Sequence, residues 1–386
     1  MKVAMCDPSL FTGRYDDSLC AALARAGAEV TLLARPMRAT DAIEPQGYAY
    51  RPRFFRRSEA LRERIGEGRV FRFAKAAEYG LSCAMGDLDA LAACDVAHMQ
   101  WLPLAPVDRL MLRRLRGRTK LVHTVHNADA YHADSGVQGQ GYRALLDMFD
   151  ALVVHGETTR AALERQGLDP ARIHVTPHPP MRLAPAGPAD LALIADPALP
   201  RLLFFGTIRP YKGVDLLVEA CLSLWRAGHR FELVLAGKPF MDIGPLLASV
   251  HEAGFGDRLI ADLGFLTEQR LDAHMAKADI IAFPYRHIDS SGAFLSALHH
   301  GKAMVTSDAG MFASLPGDVA VRASAGNAPA LAQALLPLVE GAAIRQALGA
   351  RARAYGEAMG NWKDMALATI GIYRSVLSAG ARATRK

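Results

Sequence analysis

Two cationic side chains share one short loop. The stretch "GTIRPYKG", residues 206–213, carries Arg209 and Lys212 directly after the apolar run "RLLFF". A run of that kind followed by a helical pattern reads as a strand, so both cations sit at a strand's carboxyl end. A guanidinium offers a planar fork and an ammonium a point charge, a pairing suited to a diphosphate. Gly206 lets the backbone approach such a ligand closely. A second anion feature lies in "YRHIDSSGAFLSALHHGK", residues 285–302, where Ser290, Ser291 and Gly292 open an amphipathic helix. The first turn of a helix presents unpaired N–H groups and about half a positive charge. Ser or Gly there admits a phosphate. Serine also caps helices with no ligand present; its concurrence with Arg209 and Lys212 selects phosphate binding. Arg286 and His287 sit just upstream. The strand ends "AGKP" (236–239), "LGFL" (263–266) and "TSDAGMF" (306–312) add small residues, Gly237 among them, suited to a base and ribose.

The elements that must position these residues recur along the chain. In the first half "KVAMCD", "AEVTLLAR", "DVAHMQWL", "KLVHTVHN", "ALVVHGE" and "RIHVTPH" read as strands. In the second half "RLLFFGT", "FELVLAG", "LIADLGF", "DIIAFPY", "AMVTSD" and "VAVRAS" do so. Helical stretches such as "DDSLCAALARAGA" and "VDLLVEACLSLWRAG" alternate with them, apolar at i, i+3 and i+4. Strands alternating with helices predict doubly wound parallel sheets. The proline-rich segment 179–200 reads as a linker. The expectation is an α/β chain of two Rossmann-like domains facing each other across a cleft, residues 1–180 and 201–355, with a closing helix over 356–386. Ligands in such folds lie beyond the carboxyl ends of the strands.

The 386 residues, 51% hydrophobic and 22% charged, suit two soluble globular domains. No long apolar segment suggests a signal peptide or a membrane span. Five cysteines (Cys6, Cys20, Cys83, Cys94, Cys221) show no CxxC spacing, so they read as small hydrophobes in a reducing cytoplasm rather than zinc ligands.

Taken together, the chain resembles the GT-B glycosyltransferases, in particular the retaining group that includes many bacterial polysaccharide enzymes. The resemblance is carried by "FFGTIRPYKGVDLLVEA", "ELVLAG", "LGFLTEQRLDAHMAKADIIAFPY", "SSGAFLSALHHGKAMVTSDAG" and "NWKDMALATIGIYRSVL", and more loosely by "DVAHMQWLP", "TVHNADAYH" and "DALVVHGETTRAAL". It implies a nucleotide diphosphate sugar held by the second domain and an acceptor held by the first, with no cofactor and no metal. Carried over, Arg209 and Lys212 bind the donor diphosphate, the amides of Ser291 and Gly292 bind its far phosphate, and Phe265 and Leu266 contact the base. The resemblance also makes Arg286 and His287 candidates for sugar or acceptor contacts. The segment from Trp362 to Tyr373 resembles the one that returns to the first domain. There is one departure. Where the family pattern has two glutamates eight residues apart, this chain has Ile288 and Ser296.

In the first half, His126 ends a buried strand, and the resemblance places it beside the reacting carbon of the sugar as the catalytic residue. His123 and His132 read as structural. Gly13, in the loop "DPSLFTGRYDD", could admit donor phosphate or acceptor. Asp16 and Asp17 read as helix-start charges favoured by the dipole.

Residues 51–75 hold nine Arg or Lys against three Glu, interleaved with Phe54, Phe55, Phe71 and Phe73. No nucleic-acid motif accompanies them. They read either as a solvated insertion or as a contact for an anionic membrane surface. The expectation is a cytoplasmic, peripherally membrane-bound enzyme that moves sugar from a UDP- or GDP-sugar to a glycan or polyprenyl-diphosphate-linked acceptor of exopolysaccharide synthesis. A nucleotide-sugar epimerase of the same architecture and a non-catalytic donor-binding subunit are the alternatives. An oxidoreductase is disfavoured, since no GxGxxG follows the first strand.

Overall fold

The structure is a computed structural model and describes residues 1–383 except 39–40, 42, 67, 86–87, 127–140 and 289–290. The chain divides into two compact units, Met1–Pro179 with Gly360–Lys386, and Pro180–Met359.

The first unit is built on a seven-stranded sheet. Its strands are β1 (Lys2–Asp7), β2 (Glu29–Ala34), β3 (Ala49–Pro52), β4 (Val96–Met99), β5 (Lys120–Thr124), β6 (Ala151–Val154) and β7 (Ile173–Val175), in the order β3-β2-β1-β4-β5-β6-β7. All neighbours pair in parallel. Strands β4 and β6 are wholly buried, as a parallel sheet covered on both faces requires. Helix α1 (Gly13–Arg25) follows β1; α2 (Arg56–Ile65) and α3 (Arg69–Met85) follow β3. Strand β3 runs into the start of the basic segment and carries no apolar alternation, so nothing local marks it as a strand; its residues are largely exposed at the sheet edge.

The second unit has six parallel strands, β8 (Arg201–Phe205), β9 (Glu232–Gly237), β10 (Leu259–Leu263), β11 (Ile280–Phe283), β12 (Ala303–Ser307) and β13 (Val321–Ala323), ordered β10-β9-β8-β11-β12-β13. Each coincides with a run expected from the sequence. Helix α4 (Val214–Arg226) follows β8, α5 (Glu268–Lys277) precedes β11, and α6 (Gly292–Ala297) follows it.

The closing helix α7 (Trp362–Ala383) belongs to the first unit. Tyr373 on α7 lies 2.6 Å from Nδ1 of His98 on β4, while His98 Nε2 lies 2.8 Å from Thr124 on β5. In both sheets the strand order reverses beside the first strand, between β1 and β4 and between β8 and β11. A doubly wound sheet opens its ligand crevice at that point. Among the described residues no helix is long and apolar enough to cross a membrane.

Candidate active site

In the second unit the loop after β8 rises directly from the switch point. Gly206 has φ of 96°, and a Cβ added to it would stand 3.6 Å from Lys212 Nζ, so the ammonium overhangs a bare stretch of backbone. Across the switch, the Tyr285 ring beyond β11 lies 5.3 Å from the same nitrogen. Lys212 is only 7% exposed, and no carboxylate among the described residues pairs with it. Burial, and then the charge of Arg209, push its ammonium down to about 8. A buried cation without a counter-ion is what an anion-binding site contains before its ligand arrives.

The loop is held from outside. Arg286 makes a forked pair with Asp215 at 2.9 and 2.6 Å and donates to the Pro210 carbonyl, while its own amide donates to Tyr211. The first turn of α4 is thereby tied to the loop and to the end of β11. Gly213 begins that turn at φ of 69°, where a Cβ would fall 2.1 Å from the Pro284 carbonyl. Arg286 was expected to reach sugar or acceptor; the structure commits its guanidinium to the Asp215 brace. His287 is exposed.

Beyond β8 and β9 the two chains stay zipped, with Ile208 and Lys238 bonded at 2.8 Å and Phe240 bonded to Ile208 at 2.8 Å. Gly237 allows this, because a Cβ there would sit 1.9 Å from the Gly206 carbonyl. Arg209 therefore stacks over Phe240 at 4.4 Å, and Lys238 lies 5.3 Å from Phe240 and 3.8 Å from Phe265. Phe265 is 63% exposed, with the Lys238 ammonium over one face of its ring, whereas Leu266 packs toward the core. Lys238 and Phe240 were not singled out in the sequence. The phenylalanine after a lysine and a proline at a strand end was the available signal.

Ser291 caps α6, its hydroxyl accepting from Phe294 N at 3.2 Å. Its own amide points to Met311 Sδ at 3.0 Å. The donor expected to meet phosphate is thus covered by a thioether, a weak acceptor on a mobile side chain that a phosphate oxygen can displace. Next along, Gly292 approaches only the terminal methyl of Met181. Ser290 lies outside the described residues. Ile288 packs against the core, and Ser296 is buried with its hydroxyl on the Ala293 carbonyl.

The first unit gathers a different chemistry at its strand ends. His126 stacks on Trp101 with ring centres 5.1 Å apart and planes 7° from parallel. Its Nε2 lies 3.1 Å from Gln100 Oε1; an amide oxygen only accepts, so Nε2 carries the proton. His155 and His178, past β6 and β7, approach the same Tyr15 ring that meets His126, at 5.4, 5.0 and 5.0 Å. Burial first, then the neighbouring imidazoles, hold His126 well below its usual value. Burial holds His155 to about 4 and His178 to about 3. At neutral pH the cluster is uncharged, suited to hydrogen bonding with hydroxyls. His123 is structural, its Nδ1 2.8 Å from the Met99 carbonyl. His132 lies outside the described residues.

Two expectations in this unit change. Asp16 is not a solvated helix-start charge: it is fully buried beside Asp7, the last residue of β1. Asp7 takes the amides of Phe11 and Thr12 at 2.5 and 3.0 Å. Burial first, and then the Asp7 carboxylate, push Asp16 well above its ordinary value. Gly13, expected to admit a ligand, instead faces Ile43, whose Cδ1 would be 2.9 Å from an added Cβ.

The comparisons with known proteins fit this geometry. Residues 199–341 match the family described as Glycosyl transferases group 1, and residues 12–179 match Glycosyltransferase Family 4. The chain is a group 1 glycosyltransferase of the GT-B fold. It is 28% identical over 297 residues to a D-inositol 3-phosphate glycosyltransferase of Kineococcus radiotolerans, covering 66% of each chain. Over 100 residues it is 31% identical to a GDP-mannose:glycolipid 4-beta-D-mannosyltransferase of Xanthomonas campestris pv. campestris, covering 25% of this chain and 27% of that one. This glycosyltransferase thus spans about two thirds of the first relative's length and about a quarter of the second's. Among solved structures, Anabaena HepE in complex with UDP and glucose aligns with a TM-score of 0.68 at 14% identity, covering 99% of this chain and 100% of that one. That likeness is one of fold.

Proposed function

We propose that the second unit of this glycosyltransferase binds a UDP- or GDP-sugar and that the first unit receives the acceptor. The observation that carries the reading is the Lys212 ammonium, buried at the switch point of the second sheet with no carboxylate partner among the described residues. A diphosphate there restores its counter-charge, with Arg209 as the second cation. Phe265 offers a face to the base. The amides of Ser291 and Gly292 take the far phosphate once Met311 swings aside. No metal is called for in this reading, since two cations and a helix start offset the leaving diphosphate's charge. His126 contacts the transferred sugar through its backbone or ring, and transfer proceeds with retention.

The acceptor in this reading is a lipid-linked glycan at an anionic membrane surface. Helix α3 supports it in a way the sequence only half suggested. Phe54, Phe55 and Phe71 are buried, against the expectation that they face a membrane. Yet Val70, Phe73, Leu81 and Met85 are 69, 78, 57 and 76% exposed, an apolar stripe at helical spacing beside Arg69 and Arg72. Such a stripe flanked by cations is how a helix lies on anionic lipid.

Thermal unfolding with saturating UDP, GDP, ADP and NAD tests the donor reading. A ligand at about 100 times its dissociation constant adds about 2.7 kcal/mol, a visible shift in Tm. A shift with UDP or GDP, lost in Lys212→Ala, supports it. No shift with any diphosphate sinks it, and turnover of donor without acceptor would favour epimerisation.

A further inference from the structure

The turn Leu298–His300 precedes β12 and so lies at that strand's amino end, away from the strand carboxyl ends that carry the donor reading. Here Asp272 Oδ1 from α5 lies 3.0 Å from His300 Nε2 and 3.8 Å from His299 Nε2. One ligand-capable atom from each of the three residues falls within 4.8 Å of the other two. A tetrahedral zinc with arms of about 2.0–2.2 Å spaces its ligand atoms roughly 3.3 Å apart, inside this range.

A second observation points to a ligand. His300 Nε2 is buried and makes no hydrogen bond to any described group, although Asp272 Oδ1 is only 3.0 Å away. The two atoms are close but not aligned as donor and acceptor. Meanwhile Asp272 Oδ2 accepts the Ala186 amide at 2.9 Å, which fixes the carboxylate and leaves Oδ1 directed at the histidines. Outer contacts of that kind orient metal ligands. The side chains of His300, Asp272 and His299 are 9, 12 and 27% exposed, so the group is open on the His299 side, where a water can complete the coordination.

We propose that Asp272, His299 and His300 bind one divalent transition-metal ion, with zinc the best match to two imidazoles and a carboxylate. The ion ties residues 184–186, α5 and the turn before β12 into one block within the second unit. Arg182 and Arg353 face His299, and Lys302 and the neighbouring imidazole face His300. Those cations oppose a further positive charge and place the site below a four-ligand structural site in affinity.

The experiment is zinc binding by the full chain, read as metal content after dialysis and as the Tm shift on adding zinc or magnesium. The expected result is one equivalent of zinc held by the wild type and a rise in Tm with zinc but not with magnesium. Asp272→Asn keeps the acceptor for Ala186 and the side-chain volume, and should raise the zinc Kd at least tenfold, as should His300→Gln. Wild type that retains no zinc overturns the proposal. So does zinc content unchanged in both Asp272→Asn and the double variant His299→Gln/His300→Gln, since the ion would then sit elsewhere. Nucleotide binding should be the same in all of them, which separates this site from the donor reading.

Discussion

Lys212 Nζ lies 5.3 Å from the centre of the Tyr285 ring, each from a different side of the point where the second sheet reverses its strand order. A cation over a ring face gains an attraction, and it is weak beside a counter-ion. The site is therefore arranged for its ligand at the expense of its own stability.

That arrangement sets opposite signs for binding and folding. Lys212→Met should raise the stability of the ligand-free protein by as much as about 3 kcal/mol, the value of the depression from the ordinary value of about 10.4 to about 8. The same change, like Arg209→Ala, should weaken UDP or GDP by about 1.5–3 kcal/mol, as loss of a charge-assisted bond does. Denaturant unfolding and titration calorimetry on one preparation check both. A destabilised variant with intact nucleotide affinity would reverse the assignment.

A pH series reads the same lysine. Because its folded value lies below the unfolded one, the folded protein binds fewer protons between about pH 8 and 10.4, so the destabilisation is present in full below 8 and fades toward 10.4. Diphosphate favours the charged amine. Nucleotide Kd should accordingly be flat up to about pH 8 and then rise, approaching tenfold per pH unit. A Kd independent of pH from 7 to 9.5 would remove Lys212 from the site.

Arg286 acts on the donor through the loop it holds. Its pair with Asp215 is about one-third exposed on each side, so breaking it with Arg286→Ala should change stability by only about 1 kcal/mol or less. The donor KM should rise much more, because the 209–212 loop loses its brace. Arg286→Lys should not restore it, since an ammonium cannot make the fork. Equal KM in all three proteins would show the brace to be idle.

His126 and His123 separate function from scaffold. His126→Ala should lower turnover on the order of 100-fold, with nucleotide affinity kept, as for loss of one preorganised polar contact. His123→Ala should instead lower Tm, since it removes a buried bond to Met99 and a stacked contact with Phe149, and leave kcat intact. Steady-state kinetics beside melting curves would expose the reverse pattern at once.

Phe73→Asp with Leu81→Asp should abolish co-sedimentation with phosphatidylglycerol vesicles at low salt, yet leave Tm unchanged, because both side chains are exposed. Persistent sedimentation would move the contact off α3.

The second unit was largely legible because its six strands are short, apolar and followed by helices, so period and composition agreed. The placement of Arg209 and Lys212 at the end of β8 was legible for the same reason. What stayed hidden depends on contacts distant in sequence. Nothing local tells Asp16 from a helix-start charge, since its partner Asp7 arrives from the preceding strand. Arg286 looked like a ligand group because Asp215 is 71 positions away. The phenylalanines of 51–75 misled because composition counts aromatics without telling which helix face carries them.

The link between His98 and Tyr373 has a consequence for how this protein is made. The first unit draws on both ends of the chain, with the second unit inserted between them. A ribosome therefore releases all of the second unit before the first can close its own core. The inserted unit has the whole of its sequence in one piece and can mature early. The first must wait, with β4 and β5 lacking the phenol that caps their buried imidazole, until the last helix emerges.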